Sequence, residues 1–281
     1  MRDKLFKIFF TVPVIIYSLV LILLPLLYIL VISFFKSDSY GGMIETFTLQ
    51  NYSLLFDSVY IKIFLKSFLI AGIVTFFSIL ITYPFVLAIS HKSERVQKIL
   101  MTLVMVPFLT NSLIRMYGFI VLLRKSGIIN QLLLGIGLIN NPLPLMYNNF
   151  GIIIGMIYTL LPFMILPMYS SVSSIDKSLL EASADLGASK WETFWNVIVP
   201  LTRPALFNGS LMVFTPAVGY FFIVDVLGGG KIMILGNLIK NQFLTARNWP
   251  FGAAVSMLLL LITFLIIGIY RKSGGKLEDL G

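Results

Sequence analysis

Few side chains in this sequence could do chemistry in an apolar medium. Asp225 is the only acidic residue in or at the end of an apolar run long enough to cross a membrane, in GYFFIVDVLGG. A flexible organic cation is held by carboxylates and aromatic faces, and Tyr220, Phe221 and Phe222 lie close by in the chain. Asp225 equally fits a second role, a headgroup-level carboxylate that caps the following loop. Arg115 lies inside a different apolar run, flanked by Asn111 and Tyr117, which offer neutral contacts. A lone guanidinium repels a cation. It is accommodated in lipid by pairing with Asp225, by binding helix-end carbonyls, or by snorkelling outward.

Other chemistries lack their residues. There is no cysteine, which removes disulfides and thiolates, and His91 is the single histidine, with no companion for a metal site. Two glycine-rich tracts end in lysine, Gly228 to Lys231 and Gly274 to Lys276. Each is followed by an apolar residue, without the upstream glycine and the Ser/Thr of a phosphate-binding loop. No nucleophile–base arrangement and no carboxylate pair is available, so the chain reads as a non-enzyme with no cofactor of its own.

The elements that must position Asp225 and Arg115 are membrane helices. Of 281 residues, 58% are hydrophobic and 12% charged; a soluble domain carries about 25% charged residues. Apolar runs near the ~20 residues needed to cross a bilayer recur along the chain, and their backbone groups find partners in lipid only as helices. The expected fold is an all-α integral membrane protein, one domain over 1–281. Its six spans are expected at about 8–35, 62–90, 99–123, 150–172, 205–227 and 251–270. The intervening outer segments read as 36–61, with a short helix near 51–56; 124–149, with one at 128–134; and 228–248, with one at 234–244. Pro84, Pro107, Pro162, Pro167 and Pro216 fall inside spans, either as simple kinks or as points where helices gate a path. Gly151 and Gly155 form a GxxxG packing patch.

The net charge is +9. No nucleic-acid motif accompanies it, and the cations gather in short loops and termini, where they meet anionic headgroups. Twelve of the 21 Lys and Arg residues fall on the side that holds both termini, three each in the N-tail, the loop at 90–98, the stretch 174–204 and the C-tail. Both termini and the 174–204 stretch are therefore expected in the cytoplasm. The basic start, Arg2, Lys4 and Lys7, precedes an apolar run with no small-residue cleavage site, so it reads as a retained first span.

The stretch 174–204 is the long polar-rich interval of the chain. Asp176 or Ser178 can cap a helix start, and Ser178 with Glu181 has capping-box spacing. Leu179, Ala182, Ser183 and Leu186 recur on one helical face, and Gly187 falls where a helix end needs left-handed geometry. Ser189 and Glu192 form a second box, and Trp191, Phe194, Trp195 and Ile198 a second face. Pro200 and Pro204 are expected to end it. The expectation is two short amphipathic helices hinged at Gly187, lying at the membrane surface or docking against another protein.

EASADLGASKWETFWNVIVP, Glu181 to Pro200, resembles the EAA signature of the membrane subunits of bacterial ABC importers. That pattern is Glu-Ala-Ala, three residues, Gly, nine residues, then Ile-x-Leu-Pro. Glu181, Ala182, Gly187 and Pro200 match it, while Ser183, Val197 and Val199 replace residues of similar size or polarity. Val106 to Gly118, Tyr158 to Val172 and Asn248 to Ala254 extend the likeness along the chain, which resembles the spermidine/putrescine permease type. The resemblance implies a coupling loop at 174–204 that docks into an ATP-hydrolysing subunit. Glu181 would face that subunit, Ala182 and Ser183 would allow tight packing, and Gly187 would make the bend; Asp185 and Trp191 complete the coupling set. It also implies two ATPase subunits carrying ATP-Mg, a second homologous permease, an extracytoplasmic solute-binding protein meeting the outer loops at 124–149 and 228–248, and the bacterial cytoplasmic membrane as setting. Importers of other small solutes share parts of the pattern. A stand-alone carrier or channel would instead carry internal repeats and mid-membrane carboxylates, and neither is evident.

Overall fold

The computed structural model describes residues 2–38 and 40–272, with the backbone alone for 2–10, 270 and 271. The tail from 273 on, including Gly274 to Lys276, lies outside the described residues. Among those described, six helical stretches are long and apolar enough to cross a bilayer: Thr11–Ile32, Ser58–Ser90, Ser112–Gly135, Asn149–Ser173, Lys190–Gly219 and Trp249–Ile269. The chain packs as two compact units, Met1–Lys62 with Leu238–Ile266 and Ile63–Asn237 with Ile267–Gly281.

The first unit begins with helix α1, Arg2–Ile32, whose apolar side chains from Thr11 to Ile32 bury almost nothing against the chain. It leads to a two-stranded antiparallel hairpin, β1 Phe35–Ser37 and β2 Met43–Phe47. The sequence reading expected an exposed outer loop here, with a short helix near 51–56. The signal for the hairpin is the Gly41-Gly42 pair at its tip, with φ of +94° and +108°, which lets the chain reverse tightly. Short helix α2, Gln50–Leu54, is tied to the strand entry by Asn51, whose amide donates to the Ser33 and Phe35 carbonyls at 2.9 and 2.8 Å. Phe34 stacks between Phe47 and Tyr52. The first turns of α3, Ser58–Ser90, and the greater parts of α12, Leu235–Leu244, and α13, Trp249–Lys272, complete this unit.

The second unit is built around α7, Asn149–Ser173. It buries Met156, Leu160, Met164, Ile165 and Met168 against α10, Val199–Gly219, and α11, Phe221–Gly228. Close approach depends on two glycines. A Cβ at Gly209 would meet Met164 Sδ at 2.6 Å, and one at Gly155 would run into Leu227 Cδ1. Gly155 thus does the packing expected of the GxxxG pair, whereas Gly151 abuts the Leu145 carbonyl of its own entry loop.

Three helix boundaries depart from the sequence reading. The expected span 99–123 is two helices, α4 Glu94–Leu109 and α5 Ser112–Leu123. Thr110 and Asn111 take extended backbone after Pro107, and the Asn111 side chain accepts from Leu113 N at 2.8 Å, starting a new helix. Short α6, Ile128–Gly135, follows, so the third membrane-length stretch begins later than expected. The expected span 205–227 breaks at Tyr220 (φ −77°, ψ 63°), after Pro216 and Gly219. Finally, Pro200 and Pro204 do not end the second short helix of the 174–204 stretch. α9, Lys190–Thr193, continues through a π-helical turn, Phe194–Ile198, directly into α10. In that turn Val199 N–H bonds to the Phe194 carbonyl five residues back, and the wider ring takes up the strain of a proline within a helix.

Candidate functional site

The elbow at 174–204 is built from local chemistry. Helix α8, Lys177–Asp185, is capped by Asp176, whose carboxylate accepts from Ser178 N at 3.0 Å. That hydrogen bond holds the Asp176 carboxyl below the usual carboxylate range. Of the two caps weighed from sequence, Asp176 is the one used, so Glu181 lies beyond the first turn rather than in a capping box. The helix ends at Gly187, φ +81°. Ala188 N reaches back to Ser183 O at 3.1 Å and Gly187 N to Ala184 O at 2.9 Å, which closes the last turn. Ser189 and Glu192 then form a reciprocal capping box that starts α9.

Ser183 is not part of an outward apolar face. Its hydroxyl pairs with Thr193 at 2.9 Å and clamps one arm of the elbow to the other. The outward surface carries Leu179, Leu186 and Trp191, with Leu186 88% and Trp191 68% exposed. Ala182, Glu181 and Asp185 are also exposed. Trp191 stacks on Phe194 and meets Trp195 edge-on. Phe194 packs edge-on against Tyr83 of α3, and the Tyr83 hydroxyl bonds Thr202 at 3.0 Å, so α3 braces the second arm. Beside the first arm a groove of about 710 Å³ is lined by Glu181, Lys177, His91, Lys92 and Glu94. The sequence reading had passed over that contribution from the 90–98 loop.

The residues singled out within the spans fall into two groups. Tyr220 and Phe221 lie at the break between α10 and α11 and line an open hollow of about 330 Å³ with Pro216 and Phe222. Asp225, one to two turns on, accepts from Asn237 Nδ2 at 2.6 Å, and the same amide donates to the Phe221 carbonyl at 3.2 Å. Asn237 thus bridges the broken helix and its carboxylate; a lone amide in an apolar stretch was the available sequence signal. The second group is on α5, which packs against α11. Asn111 is its cap, with its oxygen engaged, and Tyr117 is 66% exposed. Arg115 does not pair with Asp225 or with helix-end carbonyls. Its guanidinium carbon is 5.8 Å from the centre of the Phe108 ring, and its buried Nε has no hydrogen-bond partner.

The chain that carries these helices and the exposed, doubly capped elbow matches a family model described as the binding-protein-dependent transport system inner membrane component over residues 80–277. The chain belongs to this family. The elbow and every candidate residue within the spans fall inside the matched range of this transport component, whereas α1 and the hairpin precede it. The chain is 41% identical over 257 residues to the spermidine/putrescine transport system permease protein PotB of Haemophilus influenzae, covering 92% of this chain and 90% of that protein. It is 42% identical to PotB of Escherichia coli, covering 92% and 94%. Among solved structures it shares its fold with a bacterial alginate ABC transporter in complex with an alginate pentasaccharide-bound periplasmic protein, with a TM-score of 0.75, 16% identity, and 96% and 95% of the two chains covered. The transport component is accordingly a multi-pass membrane protein.

Proposed function

We propose that this chain is a permease subunit of an ATP-binding-cassette importer that moves a polyamine, spermidine or putrescine, into a bacterial cell. The observation that carries the reading is identity above 40% to spermidine/putrescine permeases over 92% of the chain. In this reading both termini and the elbow at 174–204 are cytoplasmic, in the bacterial inner membrane. ATP hydrolysis takes place on two partner subunits, which receive Leu186, Trp191 and Glu181 of the elbow in a surface groove. A second homologous permease completes the path, and a periplasmic solute-binding protein delivers the solute to the outer loops. Support for that last partner comes from the alginate transporter, whose fold is shared and whose structure includes a periplasmic protein.

The path itself is drawn at the α10–α11 break. Asp225 supplies negative charge, Tyr220 and Phe221 supply aromatic faces, and Asn111, Arg115 and Tyr117 lie on α5, which packs against α11, as further candidates for its lining. A broken helix at membrane depth exposes carbonyl groups that attract a cation. The test is ATP-driven uptake of labelled spermidine and putrescine by vesicles carrying the reconstituted complex. Uptake that requires ATP and the binding protein is expected; uptake of neither polyamine while another solute is transported overturns the substrate assignment.

A further inference from the structure

We propose that the exposed face of α4 and α5 seats a membrane helix of the second permease, and that this helix places a carboxylate on Arg115. The inference rests on the two-permease reading and adds to it the surface and the contact. Arg115 borders a cavity of about 220 Å³ whose other walls are apolar or aromatic, among them Phe108, Pro107 and Tyr158. Its Nε is buried and unpaired, and among the described residues the Phe108 ring is the partner the guanidinium has.

The depth of that cavity narrows the source of the missing anion. Tyr158 is nine residues from the start of α7 and Ile165 eight from its end. At 1.5 Å per residue each is roughly 12–14 Å from the nearer end of a bilayer-crossing helix. A lipid phosphate stays at the headgroup layer, at the edge of a hydrocarbon core about 30 Å thick. The transported polyamine carries the same sign as Arg115. An unpaired charge at this depth is costly, and such residues pair within the membrane. A carboxylate from another membrane chain meets the requirement, and bidentate pairing would engage Nε together with a terminal nitrogen.

The surface for that chain is present. Leu103, Val106, Leu109, Leu113 and Tyr117 recur every three or four residues across the α4–α5 break, each between 49% and 78% exposed. A neutralised Arg115 also removes the repulsion that a lone guanidinium would impose on a passing cation.

The experiment uses the complete complex, with both permeases, the ATPase and the binding protein co-expressed. A photoreactive benzoyl-phenylalanine replaces Tyr117, and Arg115 is changed separately to Lys, Gln and Glu. An adduct between Tyr117 and the second permease is expected. Arg115→Gln should lower the fraction of assembled complex about tenfold and Arg115→Glu further, while Arg115→Lys keeps most of it. Thermal melting of the isolated subunit separates assembly from folding, because removing an unpaired charge leaves the Gln variant at least as stable as the wild type. Adducts to lipid alone, or an Arg115→Gln complex as stable as wild type, overturn the inference. If the second permease does not co-purify even with the wild-type chain, the two-permease reading fails with it.

Discussion

Gly187 offers a graded test of the elbow. Its φ of +81° is in the left-handed region, and no atom lies within 4 Å of where a Cβ would stand. Substitution therefore meets no steric wall, and its cost is conformational. An L-residue held in this region costs about 1–2 kcal/mol, less for Asn and more for a β-branched side chain. With about 1.4 kcal/mol per tenfold change in equilibrium, Gly187→Ala should depopulate the folded turn by roughly five- to thirtyfold relative to glycine. Gly187→Asn should lose least and Gly187→Val most. The Ser183–Thr193 clamp and the Ser189–Glu192 box depend on this turn, so the whole exposed surface of the elbow loosens together. The assay is ATP-driven polyamine uptake in vesicles, normalised to the amount of complex in the membrane, with ATP hydrolysis measured in parallel. Uptake should fall in the order Gly, Asn, Ala, Val while membrane level stays constant, because the spans are untouched. Equal uptake for Val and Gly would refute the reasoning. So would equal loss for Asn and Val, since backbone strain would then not be the cause.

Asp225→Asn keeps the shape of the side chain and an oxygen for Asn237 to donate to, but removes the charge; uptake should drop about tenfold or more, on the order of 1.4 kcal/mol, with the membrane level little changed, and unchanged uptake at normal level would remove Asp225 from the path. Gly155→Leu drives a side chain into Leu227 and Ile223 and should destabilise the subunit by about 1–3 kcal/mol, seen as a lower melting temperature and lower membrane abundance. The Asp176 cap gives a pH prediction: its pKa is lowered in the folded state, so the cap stabilises α8 above the ordinary carboxylate value near ~3.9 and is lost as pH falls through the lower folded value. Hydrogen exchange at Ser178 N–H should therefore stay slow between pH 8 and 5 in the wild type and be fast throughout in Asp176→Ala.

The parts of this fold legible from sequence are those set by local rules. Long apolar runs announce membrane helices, and glycine after a helical face announces the turn at Gly187. Ser189 followed by Glu192 announces the start of the next helix. The misread boundaries turn on how the backbone near proline is re-satisfied, and that depends on atoms remote in sequence or on a rare hydrogen-bond ring. Pro107 and Asn111 split one expected helix in two, while Pro200 and Pro204 fail to split another because a π turn intervenes. No residue type distinguishes these outcomes in advance. The partner of Asp225 was hidden for a related reason. Asn237 is 12 residues away, in a segment read as an outer loop, and only the fold returns it to the α10–α11 break. The absence of an Arg115–Asp225 ion pair was likewise beyond the sequence, which supplied two opposite charges in apolar runs and no way to measure the gap between them.

The continuity of α9, the π turn and α10 changes what the elbow can do. Two short surface helices would dock against a partner and pass its motion on through a flexible connection. Here the second arm is instead the first part of one helical stretch, Lys190–Gly219, about 45 Å long at 1.5 Å per residue. Its far end is the Tyr220 break, where the hollow lined by Tyr220 and Phe221 opens and Asp225 follows. A displacement of Trp191 therefore reaches the aromatic cluster without crossing a loop. The brace at Tyr83 and Thr202, about two-fifths of the way along, is where such a stretch would pivot, and the Tyr83 hydroxyl holds that point to α3. In the proposed reading, mechanical work arrives from ATPase subunits outside the chain. A continuous helical element that joins an exposed, doubly capped elbow to the break at the far end of its span would supply a direct route for it.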